Sequence, residues 1–160
     1  MLLLGGVVRP DFKKSFVPDG SKQDIGTDFT AYITPKSNSK LAVQVTGTGN
    51  GANVNLTTRN ESSQSQKWYF QRQSDGSYSI KNLYSGNYLD IENSGNIDHE
   101  NVQVWSGGSG DKQCWFIYSY NGGYRLVPRS SPEDLKALDI GDSIKDGANL
   151  QIYYFVSNSN

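Results

Sequence analysis

Two stretches of the chain each carry a carboxylate, an amide and an aromatic ring in the same order. The two sets are Asp90, Gln103 and Trp105, and Asp139, Gln151 and Tyr153. In each set the amide and the ring are two residues apart, so on an extended strand their side chains point to the same face. A carboxylate accepts hydrogen bonds from two neighbouring hydroxyls, and an aromatic ring offers a flat apolar plate. Such groups suit a ligand that has an apolar face and a rim of hydroxyls.

These two sets belong to an internal repeat that occurs three times. Matching segments begin at Ala42, Tyr88 and Ala137, and a second group begins at Ala52, Glu100 and Ala148. Within each segment apolar and polar residues alternate, which is the period of a half-buried strand. Clusters rich in Gly and Asn separate the segments and predict tight turns. The sequence therefore predicts three repeats of about 48 residues with about four short strands each, too few repeats for a propeller of such blades.

The composition agrees with a single domain of strands and turns. Gly, Ser and Asn make up 51 of the 160 residues, and 12% of the chain is aromatic. We therefore expect an all-β fold, with one helical turn at residues 131–134, and exclude a helical bundle, a coiled coil and a membrane-spanning helix. The 15 basic and 16 acidic residues form no runs and leave a net charge of −1. Without a positive field, nucleic acid is excluded as a main ligand.

Two repeats close with a Gln-x-Trp motif, at residues 66–68 and 113–115. In repeat two this motif follows a hydrophobic-Asp-hydrophobic strand and a Val-Gln-hydrophobic-aromatic strand. In these features residues 29–160 resemble the ricin B-type lectin repeat, which is shared by the family 13 carbohydrate-binding modules. The resemblance implies a β-trefoil, in which three four-stranded units surround a pseudo-three-fold axis. We expect residues 29–160 to form this domain and residues 1–28 to be an N-terminal tail or linker, or to pack on the trefoil.

The resemblance also implies roles for the residues of repeat two. Asp90 matches the acid that accepts sugar hydroxyls, Gln103 the supporting amide and Trp105 the stacking ring. Gln113 matches the amide of the closing motif, and Lys112 stands where the family usually has Asn. A lysine donates hydrogen bonds but cannot accept them, so this departure bears on which sugar binds. In the competing structural interpretation, Asp90 caps a turn and Trp105 belongs to the core.

Repeats three and one depart further from the family pattern. Repeat three offers Asp139, Gln151 and Tyr153 in the same roles. Its closing Gln-x-Trp, which the spacing places near residue 161, is absent. We hypothesise that an apolar N-terminal stretch, residues 7–17, supplies the missing strand. Repeat one has Gln44, Asn55 and Thr57 at the three positions. It has lost both the charge and the ring, so we interpret it as a structural copy.

Other reactive residue types lack the partners that their chemistry needs. Four acids close in sequence suggest a glycosidase pair, but on a strand and loop such acids are usually solvated. They are Asp90, Glu92, Asp98 and Glu100. His99 is the single histidine, which argues against a zinc site or a Ser-His-Asp triad. Cys114 is the single cysteine and lies beside a core position, so we interpret it as a small buried hydrophobe. We expect no catalytic residue, metal or cofactor.

The expected function is non-catalytic carbohydrate binding through repeat two, with repeat three as a second candidate site. The resemblance implies galactose-type glycans or plant polysaccharide as ligands and favours an extracellular location. Single shallow sugar sites are weak, so we expect multivalent binding to matter. Two alternatives remain open. One is a β-trefoil used for protein recognition, as a protease inhibitor or a toxin's receptor-binding subunit, and the other is a binding module cut from a glycoside hydrolase.

Overall fold

The computed structural model describes residues 2–5, 22, 25–131 and 136–155. Twelve strands and one 3-10 turn, Gln64–Gln66, lie within these ranges. The strands are β1 (Leu2–Gly5), β2 (Phe29–Pro35), β3 (Leu41–Val45), β4 (Val54–Thr58), β5 (Trp68–Arg72), β6 (Tyr78–Asn82), β7 (Tyr88–Ile91), β8 (Val102–Trp105), β9 (Cys114–Tyr120), β10 (Gly123–Pro128), β11 (Lys136–Ile140) and β12 (Leu150–Tyr154). None of the helical structure in the described ranges is long and apolar enough to cross a membrane.

Six of the strands form a closed antiparallel ring. Around the ring, β5 pairs with β2, β2 with β1, β1 with β10, β10 with β9, β9 with β6, and β6 with β5. The ring closes between β1 and β10 through the pair Leu2 and Tyr124. Because it is closed, every strand of the ring has a neighbour on both edges.

The other six strands form three hairpins with matching registers. β3 pairs with β4, β7 with β8, and β11 with β12. In each hairpin the position of the acid lies directly opposite the position of the amide. The pairs are Gln44 with Asn55, Asp90 with Gln103, and Asp139 with Gln151. A closed ring of six strands with three hairpins is a β-trefoil, so the predicted all-β fold is confirmed.

The apolar faces of the ring and the hairpins enclose one core, in which Trp68 and Trp115 are fully buried. The Trp68 indole N–H donates to the carbonyl of Val43 at 3.0 Å, and the Trp115 indole N–H donates to the carbonyl of Leu89 at 3.2 Å. Each of these carbonyls belongs to the residue just before the acid position of its hairpin. The core tryptophans therefore fix the strands that carry those positions.

Three asparagines meet where the second strands of the hairpins converge. Asn53, Asn101 and Asn149 are separated by 48 residues each. The side-chain N–H of Asn53 donates to Asn149 at 2.8 Å, that of Asn149 to Asn101 at 2.8 Å, and that of Asn101 to Asn53 at 3.0 Å. The three side chains thus form a cyclic set of hydrogen bonds, the asparagine triangle, which follows the pseudo-three-fold symmetry.

β1 takes the ring position that the last strand of repeat three would occupy. It lies between β10, the first strand of repeat three, and β2, the first strand of repeat one. Its partners on β2 run from Pro35, opposite Leu2, to Tyr32, opposite Gly5. Residues 7–17, which we hypothesised for this role, lie outside the described residues. Residues 132–134 of the predicted helical turn also lie outside them.

Candidate functional site

A cleft of about 510 Å³ lies beside the hairpin of repeat two. It is lined by Asp90, Glu92, Gln103, Trp105, Gly110, Asp111, Lys112 and Gln113. All five residues that the sequence singled out in this repeat therefore come together at one place. The hairpin β7–β8 supplies one wall, and the loop that leads into β9 supplies the other.

Asp90 is the buried carboxylate of this cleft, with only 4% of its surface exposed. It lies opposite Gln103 across the hairpin, and the Gln103 Nε2 group donates to Asp90 Oδ2 at 2.9 Å. Burial raises the pKa of Asp90 above its ordinary value, because a charged carboxylate loses its hydration there. The amide of Gln103, the positive charge of Lys112 and the amide of Gln113 act in the opposite direction. These amides orient the carboxylate, which still has accepting capacity left for a ligand.

The loop between β8 and β9 is held in place by the side chain of Gln113. Its Oε1 accepts from the backbone N–H of Gly108 at 2.6 Å, and its Nε2 donates to the carbonyl of Ser106 at 3.0 Å. Gly108 has a φ of +100°, and a Cβ there would lie 2.5 Å from the Tyr88 ring. Only glycine suits both the backbone conformation and the space. Gln113 therefore organises the wall of the cleft that also carries Lys112.

Trp105 presents the aromatic surface of the cleft, with 44% of its surface exposed. It ends β8 and pairs with Tyr88 across the hairpin. The chain of repeat one passes close by, because the backbone N–H of Gly51 donates to the carbonyl of Val104 at 2.8 Å. An exposed tryptophan on a rigid strand is available to stack on a ligand, so the structure contradicts the interpretation of Trp105 as a core residue.

Arg129 braces the outer part of the same loop. Its Nε donates to Asp111 at 2.7 Å, one terminal nitrogen donates to Asp75 at 3.0 Å, and the other donates to the carbonyl of Ser109 at 2.6 Å. These contacts join the loop to the turn between β5 and β6. They also offset the charge of Asp111. Asp90 and Glu92, the other two acids of the cleft, form no ion pair with any described residue.

Repeat three repeats the acid and amide contact in a smaller cleft. Gln151 Nε2 donates to Asp139 Oδ2 at 3.0 Å, as Gln103 does to Asp90. Tyr153 is 41% exposed, and its ring centroid lies 4.9 Å from that of His99. The cleft measures about 200 Å³ and is lined by Tyr120, Arg125, Ala137, Leu138, Asp139, Tyr153, Tyr154 and Phe155. Asp139 and Tyr153 thus line this cleft together, whereas Gln151 holds Asp139 from outside the lining.

Repeat one uses the equivalent positions for internal contacts. The Gln66 Nε2 group donates to Gln44 Oε1 at 3.3 Å and to the carbonyl of Thr58 at 3.0 Å. The side-chain oxygen of Asn55 is buried and has no hydrogen-bond partner in the described part of the chain. An amide in place of the acid and no aromatic ring on β4 leave this hairpin without the groups that line the cleft of repeat two.

The family model described as "Ricin-type beta-trefoil lectin domain-like" matches residues 64–153, which is more than half of the chain. The chain belongs to this ricin-type lectin family. Membership of a lectin family supports carbohydrate binding as the general function of the domain. No curated protein gives a significant sequence match.

Solved structures similar to this lectin domain share its trefoil. ThreeFoil, a designed 3-fold symmetric protein, is 35% identical with a TM-score of 0.66, over 73% of this chain and 84% of ThreeFoil. The Macrolepiota procera ricin B-like lectin, solved in complex with lactose, is 17% identical with a TM-score of 0.60, over 89% of this chain and 91% of that lectin. An exo-β-1,3-galactanase from Clostridium thermocellum is 23% identical with a TM-score of 0.65, over 80% of this chain and 30% of the enzyme. At 17% and 23% identity, the similarity to the last two proteins establishes a shared fold and nothing more.

Sequence reasoning missed several residues that shape the lectin clefts. Glu92 follows Asp90 by two residues, so strand periodicity alone could have placed both on one face. Arg129 carries no such signal, because its partners Asp111 and Asp75 are 18 and 54 residues away. His99, interpreted as a loop residue, lies against the ring of Tyr153. These contacts arise from the packing of separate loops and not from any local pattern.

Proposed function

We propose that this domain is a non-catalytic lectin that binds galactose-type glycans, with the cleft of repeat two as its main site. The observation that carries the proposal is that Asp90 and Trp105 line the same cleft. Asp90 is buried and oriented by Gln103, and Trp105 is exposed on the next strand. This combination offers a charged acceptor for hydroxyls beside a plate for the apolar face of a ring.

Galactose suits this combination because of the arrangement of its hydroxyls. Its 4-hydroxyl is axial, which leaves several C–H groups together on the opposite face of the ring. That face stacks on Trp105, while two neighbouring hydroxyls donate to Asp90. Lys112 lines the same cleft and donates to a sugar oxygen in place of the amide that the family usually has there.

Two of the similar structures agree with a galactose-type ligand. The Macrolepiota procera lectin was solved with lactose, a disaccharide that contains galactose. The Clostridium thermocellum enzyme is an exo-β-1,3-galactanase, of which the chain matches a part.

Repeat three is the proposed second site. It retains the acid held by an amide and has Tyr153 as a smaller ring, but its cleft has less than half the volume of the other. A shallow site for one sugar typically has a Kd of about 1 mM, near −4 kcal/mol. Two such sites on one domain raise the affinity for a multivalent glycan well above that for a monosaccharide.

The proposal is tested on a glycan array that includes soluble polysaccharides. The wild type is compared with Asp90→Ala, Asp139→Ala and Gln44→Ala, of which the last changes the equivalent position of repeat one. We expect binding to galactose-containing glycans that Asp90→Ala reduces to the weak binding of repeat three, that Asp139→Ala weakens and that Gln44→Ala leaves intact. Circular dichroism establishes that each variant is folded. A folded wild type that binds no glycan, or an Asp90→Ala variant that binds normally, would overturn the proposal and favour protein recognition.

A further inference from the structure

Arg125 lies in the cleft of repeat three against two aromatic rings. Its guanidinium carbon is 3.3 Å from the centroid of the Tyr120 ring and 4.0 Å from that of Phe155. Burial lowers the pKa of Arg125, although the guanidinium stays charged. No carboxylate of the described residues forms an ion pair with it. Arg125 is thus a partly desolvated cation that no carboxylate of the described residues neutralises by an ion pair.

Tyr120 also accepts a side-chain hydrogen bond from Arg125, which leaves the other guanidinium N–H groups available for a ligand. Aromatic rings cover the flat faces of a guanidinium, whereas its N–H groups point outward in the plane. A carboxylate matches two of these N–H groups at once and forms the short, charge-assisted pair that arginine favours. Asp139 lines the same cleft, and its carboxylate suits hydroxyl groups.

We propose that the cleft of repeat three binds a saccharide that carries a carboxylate, such as a hexuronic acid, with Arg125 as the counter-ion. The inference rests on the proposed function, because it assigns a ligand class to the second sugar site. The ring hydroxyls of the uronic acid donate to Asp139, its apolar face lies on Tyr153, and its carboxylate is bound by Arg125.

Repeat two lacks the corresponding cation. The registers pair Trp68 with Asn82 and Trp115 with Pro128, so Arg125 on β10 corresponds to Ser79 on β6. Ser79 is buried and uncharged at 1% exposure.

The cleft of repeat two is lined by three carboxylates and one lysine. The cleft of repeat three is lined by one carboxylate and one guanidinium, so it repels an anionic ligand less than the cleft of repeat two does. The two sites therefore differ in ligand class.

The test isolates repeat three by using the Asp90→Ala variant, in which the main site is disabled. Calorimetry or NMR titration compares galactose, galacturonic acid and the methyl ester of galacturonic acid, which differ only at C6. We expect galacturonic acid to bind about tenfold or more tightly than the other two, because only it carries the charge. The preference should fall as salt concentration rises.

Variants of Arg125 show whether this residue sets the preference. Arg125→Gln should make galacturonic acid and galactose bind equally, while Arg125→Lys, which keeps the charge without the planar fork, should retain a smaller preference. Arg125→Lys also serves if Arg125→Gln fails to fold. Asp139→Ala should abolish the binding of both sugars at this site.

Each other outcome refutes one proposal or both. Equal affinity for galactose and galacturonic acid, or a preference that both Arg125 variants keep, overturns this inference and leaves the proposed function standing. A wild type that binds galactose, together with an Asp90→Ala variant that binds none of the three sugars, overturns this inference alone. A folded wild type that binds none of them overturns the proposed function as well.

Discussion

Replacing Asp90 by asparagine is expected to change sugar binding and stability in opposite directions. The asparagine keeps the shape of the side chain and still offers an oxygen to the Gln103 amide, which donates at 2.9 Å in the wild type. It removes the negative charge that burial destabilises. The variant should therefore fold at least as well as the wild type at neutral pH and bind sugar much more weakly.

The size of the binding effect follows from the contacts that the charge makes. A hydrogen bond from a hydroxyl to a charged acceptor contributes about 1.5–3 kcal/mol, which is a factor of about 10–150 in Kd. Because single sugar sites start near millimolar affinity, such a loss makes binding at the repeat-two site of Asp90→Asn undetectable at practical concentrations. The matched variant Asp139→Asn should leave the binding by repeat two unchanged.

The stability effect has a definite dependence on pH. The pKa of Asp90 in the folded protein is raised above its ordinary value of 3.8. The folded state therefore binds this proton more tightly, and wild-type stability is lost as the pH rises through the folded pKa. Asparagine does not titrate, so the stability of Asp90→Asn relative to the wild type should rise over the same range and then level off.

Urea unfolding between pH 3 and pH 7, together with lactose titration, measures both effects. Each unit of pKa displacement corresponds to about 1.4 kcal/mol in the difference between the two unfolding free energies. An Asp90→Asn variant that binds lactose normally, or that becomes less stable relative to the wild type as the pH rises, would refute the reasoning about this carboxylate.

Three further predictions concern the loop, the asparagine triangle and the pH. Gly108→Ala should cost about 2 kcal/mol or more of unfolding free energy in urea and weaken sugar binding, because the residue has a positive φ and no room for a Cβ. Gly49→Ala, where an added Cβ meets open space, should change neither. Asn101→Ala should lower the unfolding free energy by about 1–2 kcal/mol through two lost hydrogen bonds, whereas the exposed Asn96→Ala should have little effect. Lactose affinity should fall as the pH is lowered through the raised pKa of Asp90, and calorimetry that shows a constant affinity down to pH 3 would contradict its role.

The repeat pattern accounts for most of what could be predicted. Alternating residues at equal spacing place Asp90 and Gln103 on neighbouring strands, and the structure shows them directly opposite each other. The same repeat also places three asparagines at intervals of 48 residues in the sequence. Their mutual hydrogen bonds depend on the three-fold arrangement of the hairpins, which no single repeat contains.

The sequence could not predict contacts between residues that are far apart in the chain. Arg129 joins Asp111 to Asp75, and Arg125 meets Phe155, only because separate elements fold onto one another. Arginine has no periodic signature on a half-buried strand, and its usual place is at the solvent. Local patterns therefore locate the hairpins and their acids, while the cations around the clefts require the tertiary structure.

The position of β1 in the ring has a consequence for the order in which the domain forms during synthesis. Leu2 and its partner Tyr124 are separated by 122 residues, so the ribosome synthesises β1 long before β10. Until β10 emerges, β1 can pair only with β2, and its second edge offers unpaired N–H and C=O groups to other chains. Long-range pairing of this kind slows folding and exposes the nascent chain to aggregation. Expression yield should therefore depend strongly on chaperone supply and temperature.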